Sequence, residues 1–187
     1  ADPIVTGSEI VAALQRIVSR STNPIEPAVI SVTQFHAGTN TNVIPETANI
    51  NGTCRALNRS VQDMIEARME QIVKGISAAH GLIAKFSYDR RYPVLVNTED
   101  ETLKAITAAQ TVVGAANVSI DHPPTMGSED FAWMLQERPG CYIRVGNGEG
   151  EDGGCVVHNP HYDFNDDAAV YGASYWAELV EQELSLG

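Results

Sequence analysis

The sequence of 187 residues lacks long apolar runs, is poor in basic residues and contains only three cysteines. A membrane-spanning helix needs about 20 mostly apolar residues, so no segment is expected to cross a bilayer. Lys and Arg number 12 against 24 Asp and Glu, which gives a formal charge of −12. Nucleic acid and anionic membrane surfaces both require clustered cations. The composition therefore predicts neither nucleic acid nor a membrane as a partner.

The three cysteines are Cys54, Cys141 and Cys155, an odd number without the paired spacing of a metal site. Reduced thiols are the ordinary state of such residues in the cytoplasm, which is the expected location. The first residues also lack the basic and long apolar regions of a secretory signal peptide, so none is expected there.

Local signals predict helices along the whole chain. Asp2 followed by Pro3 is typical of an N-cap and a first helical residue, and Ser60 with Asp63 resembles a capping box. Apolar residues recur at helical spacing after both signals. The predicted helices run from Asp2 to Val18, from Ser60 to Gly81, from Thr98 to Gly114, from Ser128 to Leu135, and over the last residues to Leu184.

Strand patterns alternate with these helices. The first half has β-rich segments at 28–35 and 43–55, and Leu82, Ala84, Phe86 and Tyr88 alternate as a third strand. Shorter strands are predicted near 118–120 and at 141–145. The first half thus has the order α-β-β-α-β, that of a ferredoxin-like βαββαβ unit lacking its first strand. The second half alternates helix and strand as in a layered α/β domain. The predicted boundary lies near Pro93.

The ten residues from 158 to 167 read His-Asn-Pro-His-Tyr-Asp-Phe-Asn-Asp-Asp, just before the last helix. A neutral imidazole on a rigid, non-helical backbone is the commonest protein ligand for a divalent transition metal. His158 and His161 are three residues apart but not on a helix, so only one is expected to bind a metal. Together with the compact run 126–132, this segment indicates a metal-dependent hydrolase.

Three further candidate sites each have a structural alternative. Asn42 follows Gly38 in a segment that reads as a hairpin loop, although its amide could also stabilise charge on a substrate carbonyl oxygen. Arg55 is the last residue on the polar face of a predicted strand. It is either a solvated surface arginine or a guanidinium that binds a carboxylate through two parallel hydrogen bonds. Glu129 and Asp130 lie at a predicted helix start. They are either ordinary acidic residues of a first helical turn, or one of them orients a metal-binding histidine.

Four motifs occur in order along the chain: Asn-Val-Ile-Pro at 42–45, Gly-Thr-Cys-Arg at 52–55, Met-Gly-Ser-Glu-Asp-Phe-Ala at 126–132, and the segment 158–165. Together they resemble a family of metal-dependent amidohydrolases and carboxypeptidases that includes aminoacylases, glutamate carboxypeptidase and desuccinylases. The resemblance is to its hippurate hydrolase and indole-acetyl-amino-acid hydrolase branch, and it covers essentially the whole sequence.

This resemblance implies a catalytic α/β domain interrupted by a βαββαβ lid that often dimerises. Residues 1–93 would be most of the lid and dimerisation domain, and residues 94–187 the C-terminal part of the catalytic domain. The substrate would be a small N-acyl amino acid, and a homodimer would form through the lid. The cofactor would be a divalent metal, with zinc or manganese favoured and cobalt or nickel acceptable.

The resemblance also implies roles for single residues. His158 matches a metal ligand, Asn42 a contact to the scissile carbonyl, and Arg55 a contact to the free carboxylate of the product. Gly146 lies where the backbone approaches the substrate in the family. Asp130 matches a position common across the family.

The remaining metal ligands and the general base of that family lie in an N-terminal part that this sequence does not contain. In the intact enzyme they would activate a water for attack on the amide carbonyl. The chain alone is therefore expected to be inactive and to bind metal weakly. The alternative is a non-catalytic dimerisation or binding module derived from the same family.

Overall fold

A computed structural model of the chain describes residues 1–149 and 154–184. The chain divides into two compact units. The first comprises Ala1–Val94 and Pro124–Glu129, and the second comprises Leu95–Pro123 and Asp130–Gly187. The identification of predicted domains 1–93 and 94–187 as lid and catalytic part stays a prediction. No helix of the described residues is long and apolar enough to span a membrane.

The first unit opens with helix α1, Pro3–Arg16, which continues as one π-helical turn over Ile17–Ser21. Its start is as predicted, because the Asp2 carboxylate accepts hydrogen bonds from the backbone N–H groups of Ile4 and Val5. Proline at the first helical position has no N–H that would need a partner there. One face of α1 then contributes Ile10 and Leu14 to the core, and Ile17 of the π-helical turn extends that face.

Strands β1, Ala28–Ala37, and β2, Ala48–Ala56, pair antiparallel in a two-stranded sheet. The second strand begins at Ala48 rather than at the predicted residue 43, beyond Pro45, which has no N–H for a ladder. Val32 pairs with Gly52 and Gln34 with Asn51, so Thr33 forms a bulge in β1. Asn49, Asn51, Thr53 and Arg55 are exposed on the polar face, as their alternation predicts.

Gly52 pairs with Val32, directly beside the bulge. A Cβ atom added there would lie 2.3 Å from the main-chain oxygen of Ser31, so the backbone would have to move. We expect Gly52→Ala to lower the free energy of unfolding by about 1–3 kcal/mol, as for other overpacked sites. Urea denaturation of the two proteins measures this difference.

Gly75→Ala is the matched control, because a Cβ at Gly75 in the second helix meets nothing within 4 Å. Alanine in the middle of a helix is favoured over glycine by about 1 kcal/mol, so this variant should gain stability. Equal changes in the free energy of unfolding of the two variants would contradict the steric argument at Gly52.

Helix α2, Arg59–Ala79, covers the sheet. Its N-cap is Asn58, whose side-chain oxygen accepts from the Ser60 N–H at 2.8 Å, rather than the predicted Ser60. The helix ends at Ala79 with His80 as its C-cap, and Gly81, the predicted stop, follows with a φ of +70°. The core of the unit joins α1, β1 and α2 through the buried residues Ile10, Leu14, Ile17, Ile30, Val61 and Ile65.

The predicted third strand, 82–88, is not a strand in the structure, because no described segment forms a backbone ladder with it. Its side chains nevertheless alternate as predicted: Leu82, Ala84, Phe86 and Tyr88 are half-buried, and the residues between them are exposed. Periodicity predicts which side chains turn inward, whereas a strand also needs a hydrogen-bonding neighbour. We therefore correct the predicted order α-β-β-α-β to α-β-β-α followed by an irregular segment.

This irregular segment is fixed to the unit by side chains. Tyr88 packs on the core. Burial, and after it the interaction with Cys54, raises the pKa of Tyr88 to about 12. Burial likewise raises the pKa of Cys54. Arg90 binds Asp63 of α2 at 2.5 Å and also binds Glu66. Asp63 thus serves this ion pair and not a capping box.

The second unit is helical among its described residues. It contains α3 at Glu99–Val113, a 3₁₀ turn at Ala115–Asn117, α4 at Phe131–Glu137 and α5 at Asp167–Glu183. The first turn of α3 carries three acidic residues, which favour the positive end of its dipole. Ala105 and Ala108 of α3 are buried against Tyr175 of α5, so small side chains leave room for the ring.

Three predictions for this unit are wrong. Helix α4 begins at Phe131, three residues after Ser128, and neither 118–120 nor 141–145 is a strand. At the second segment, side chains replace a ladder: Asn97 donates to the Tyr142 carbonyl at 3.0 Å and accepts from the Tyr142 N–H at 2.8 Å. Thr98 binds both main-chain groups of Gly140. A carboxamide thus satisfies main-chain groups that a neighbouring strand would satisfy in a sheet.

Candidate metal and substrate site

His158, the predicted metal ligand, is exposed and lies in the first of two successive turns before α5. The Asn159 N–H binds the Val156 carbonyl at 3.2 Å, and the Tyr162 N–H binds the Asn159 carbonyl at 3.0 Å. His158 has a φ of +71°, the one positive value among the described residues other than glycine. Such strain occurs mainly where the surroundings fix a functional side chain. The ring is therefore presented on a fixed, non-helical backbone.

The segment after His158 leads directly into α5. The Asn165 side chain accepts from the Asp167 N–H at 3.1 Å, and the Asn165 carbonyl accepts from the Ala168 N–H at 2.9 Å. The main-chain N–H of His161 donates to the Asn159 side-chain oxygen at 2.9 Å, within the second turn. Asparagine side chains thus define both ends of the short connection from His158 to the helix.

Gly146, the predicted backbone contact to substrate, is exposed, and a Cβ added there would meet nothing within 4 Å. Its neighbour Asn147 binds the segment after His158. The Asn147 amide donates to the Asp163 carbonyl, and its oxygen accepts from the Asn165 N–H, each at 2.9 Å. The structure therefore joins the Gly146 loop to the His158 segment. The sequence carries no local signal for this contact, since the partners lie 16 and 18 residues away.

Arg55 is exposed at the end of β2, and its guanidinium donates to the Met126 carbonyl. This bond lies within the first unit and joins two of the four sequence motifs, 52–55 and 126–132. One guanidinium has five N–H donors, so a single carbonyl contact leaves capacity for a carboxylate. The arginine is thus anchored by main chain, not simply solvated.

Asn42, the predicted carbonyl contact, is exposed in the turn region between β1 and β2. The chain enters this loop at Gly38, whose φ is +72°. The loop leaves the Asn42 side chain open to solvent, and its contact to the scissile carbonyl stays a prediction.

Glu129 and Asp130 lie just before α4. Glu129 is half-buried and belongs to the first unit, whereas Asp130 is exposed and belongs to the second. The Asp130 carbonyl accepts from the Trp133 N–H at 2.9 Å and so begins the helix. Their proposed part in orienting a metal ligand stays a prediction.

Residues 1–149 and 154–184 contain no group of three or more His, Cys, Asp or Glu side chains arranged to hold a metal ion. His158 fits as a single nitrogen donor, but a stable zinc-type site uses three or four protein ligands. The described residues thus do not complete a metal site by themselves.

Comparison with protein families gives a match over most of the chain. The model for peptidase family M20/M25/M40 matches residues 16–182. Hippurate hydrolase of Campylobacter jejuni is 34% identical over 179 residues, which are 96% of this chain and 46% of that protein. IAA-amino acid hydrolase ILR1-like 2 of Arabidopsis thaliana is 30% identical over 187 residues, 98% of this chain and 42% of the relative.

A solved structure supports the same relationship. The crystal structure of the Bacillus subtilis YXEP protein, described as a dinuclear metal-binding peptidase of the M20 family, superimposes with a TM-score of 0.73 at 27% identity. The match covers 98% of this chain and 46% of that one. The chain therefore spans less than half the length of the relatives that it matches.

Proposed function

Because this chain belongs to peptidase family M20/M25/M40, we propose that it is part of a metal-dependent hydrolase that cleaves the amide bond of N-acyl amino acids. The names of both curated relatives support this substrate class, since each denotes a compound with an acyl group on an amino acid. Family membership confirms the resemblance inferred from the four motifs.

The observation that carries the proposal is the backbone of His158. His158 carries an exposed imidazole on a left-handed backbone, in a turn that precedes α5. Holding a residue other than glycine in that conformation costs about 1–3 kcal/mol. A turn without a functional side chain would favour glycine there. The strain is therefore explained if the ring serves as a ligand in the complete site.

Arg55 supports the amino-acid half of the proposed substrate. Its guanidinium is held by the Met126 carbonyl, and such a fork binds a carboxylate through two parallel hydrogen bonds. Lysine offers one point charge in place of a fork, so it could not make the same contact. We therefore assign the free carboxylate of the substrate to Arg55.

We expect Arg55→Ala to raise KM for an N-acyl amino acid by about 10- to 100-fold, since hydrogen bonds to charged groups contribute about 1.5–3 kcal/mol. The measurement uses the complete gene product, meaning this chain with any polypeptide encoded in frame with it. As a control, the same enzyme is assayed on the matching substrate amide, which lacks the carboxylate. A loss of equal size on both substrates would exclude Arg55 from carboxylate binding.

The whole proposal is tested by assaying the complete gene product on a panel of N-acyl amino acids, with benzoyl, indole-acetyl, acetyl and longer acyl groups. Each assay is run with and without added Mn²⁺ or Zn²⁺. We expect metal-dependent release of the free amino acid, and no turnover by the isolated 187-residue chain. Full activity of the isolated chain would contradict the assignment of missing ligands to other polypeptide. Absence of turnover by the complete product would favour the non-catalytic module.

A further inference from the structure

The side chain of Asn147 uses both ends of its carboxamide on main-chain groups of one distant segment. Its Nδ2 donates to the Asp163 carbonyl and its Oδ1 accepts from the Asn165 N–H, each at 2.9 Å. A carboxamide that binds a carbonyl and an N–H two residues apart imitates one rung of a β-ladder. The pair of bonds fixes both the distance and the orientation between the two segments.

The two segments joined in this way carry different candidate functions. Gly146, next to Asn147, is the predicted backbone contact to substrate. Asp163 and Asn165 end the short connection from His158, and Asn165 also caps the first N–H groups of α5. The carboxamide therefore connects a substrate loop to the support of the proposed metal ligand.

We propose that Asn147 is a positioning residue that holds the Gly146 backbone in register with the His158 segment. This inference rests on the proposed function, because it assumes that Gly146 faces substrate and that His158 binds metal. The Asn147 side chain contacts neither the substrate nor the metal. It acts through the main-chain atoms of Asp163 and Asn165.

The first test measures the clamp without turnover. Hydrogen exchange is compared between wild type and Asn147→Ala in the complete gene product. The Asn165 amide, which donates to Asn147, should exchange about fivefold faster in the variant, since one such bond contributes about 1 kcal/mol. Amides in the middle of α3 should be unaffected. Unchanged exchange at Asn165 would overturn the inference.

The second test separates positioning from general stability. Asn147→Ala should raise KM about 10-fold and change kcat less than about threefold, as expected when binding of substrate and transition state weaken together. Asn147→Asp keeps the acceptor for the Asn165 N–H but sets a carboxylate oxygen against the Asp163 carbonyl, 2.9 Å from the replaced donor. The two oxygens repel, so KM should rise in this variant as well.

Asn117→Ala is the matched control, because Asn117 also donates its side-chain amide to a main-chain carbonyl, that of Val113 at 2.7 Å. Its KM should equal that of the wild type at a similar Tm. A KM for Asn147→Ala no higher than that of this control would overturn the inference. A wild type that hydrolyses none of the panel would instead contradict the proposed function, and the exchange measurement would still decide whether the clamp exists.

Discussion

Replacing His158 by alanine in the complete gene product is expected to lower kcat/KM for N-acyl amino acids by at least about 100-fold. Changes in the groups around a metal ligand alone typically cost 10- to 100-fold, and loss of the ligand should exceed that. The bound metal per protein, measured after dialysis, should fall with the activity. The fold should persist, because His158 is exposed and its side chain contributes no core contact.

His161→Ala is the matched control for this variant. His161 is also exposed, lies three residues further on, and uses its main-chain N–H rather than its ring to bind Asn159. Its activity should stay within about threefold of the wild type, as is usual for surface substitutions. Near-ultraviolet circular dichroism should be the same in all three proteins. Full activity in His158→Ala would end the metal-ligand assignment.

Ile65→Ala should be the most destabilising single truncation in the first unit. Ile65 is 0% exposed and lies in the cluster that joins α1, β1 and α2. Removing a buried isoleucine side chain costs about 2–5 kcal/mol, because transfer free energy is lost and a cavity remains. For a chain of this size we expect Tm to fall by roughly 10 °C, measured by thermal denaturation.

Ile83→Ala is a control of the same chemistry. Ile83 is 98% exposed, so its truncation removes almost no buried surface and should change stability by less than about 0.5 kcal/mol. Similar losses in both variants would mean that another surface covers Ile83 in solution.

Much of the fold could be predicted because it depends on neighbouring residues. The Asp2–Pro3 cap, the stop at Gly81 and the end of α3 at Gly114 are set within one turn of the chain. Strand pairing is different, because a ladder requires a second segment that local periodicity cannot supply. This explains why 82–88 has the alternation of a strand without its hydrogen bonds, and why Asn97 and Thr98 take the place of a strand beside 140–142.

The candidate site was predictable to a different degree. Motifs indicated His158, Arg55 and Asn42 from short runs of sequence. These runs lie within the residues 16–182 that the family model matches, and the roles of the three residues stay predictions. The Arg55–Met126 bond and the Asn147 clamp join residues 71 and 16–18 positions apart. No pattern within a single motif encodes such contacts, so they could be found only from the fold.

The left-handed backbone at His158 also bears on laboratory evolution of this protein. Glycine adopts that conformation without the steric penalty of a side chain, so a library screened for heat resistance should accumulate glycine at codon 158. A library screened for amide cleavage should keep histidine there. The two screens would thus select different residues at position 158. Sequencing the survivors would show whether stability or activity was selected there.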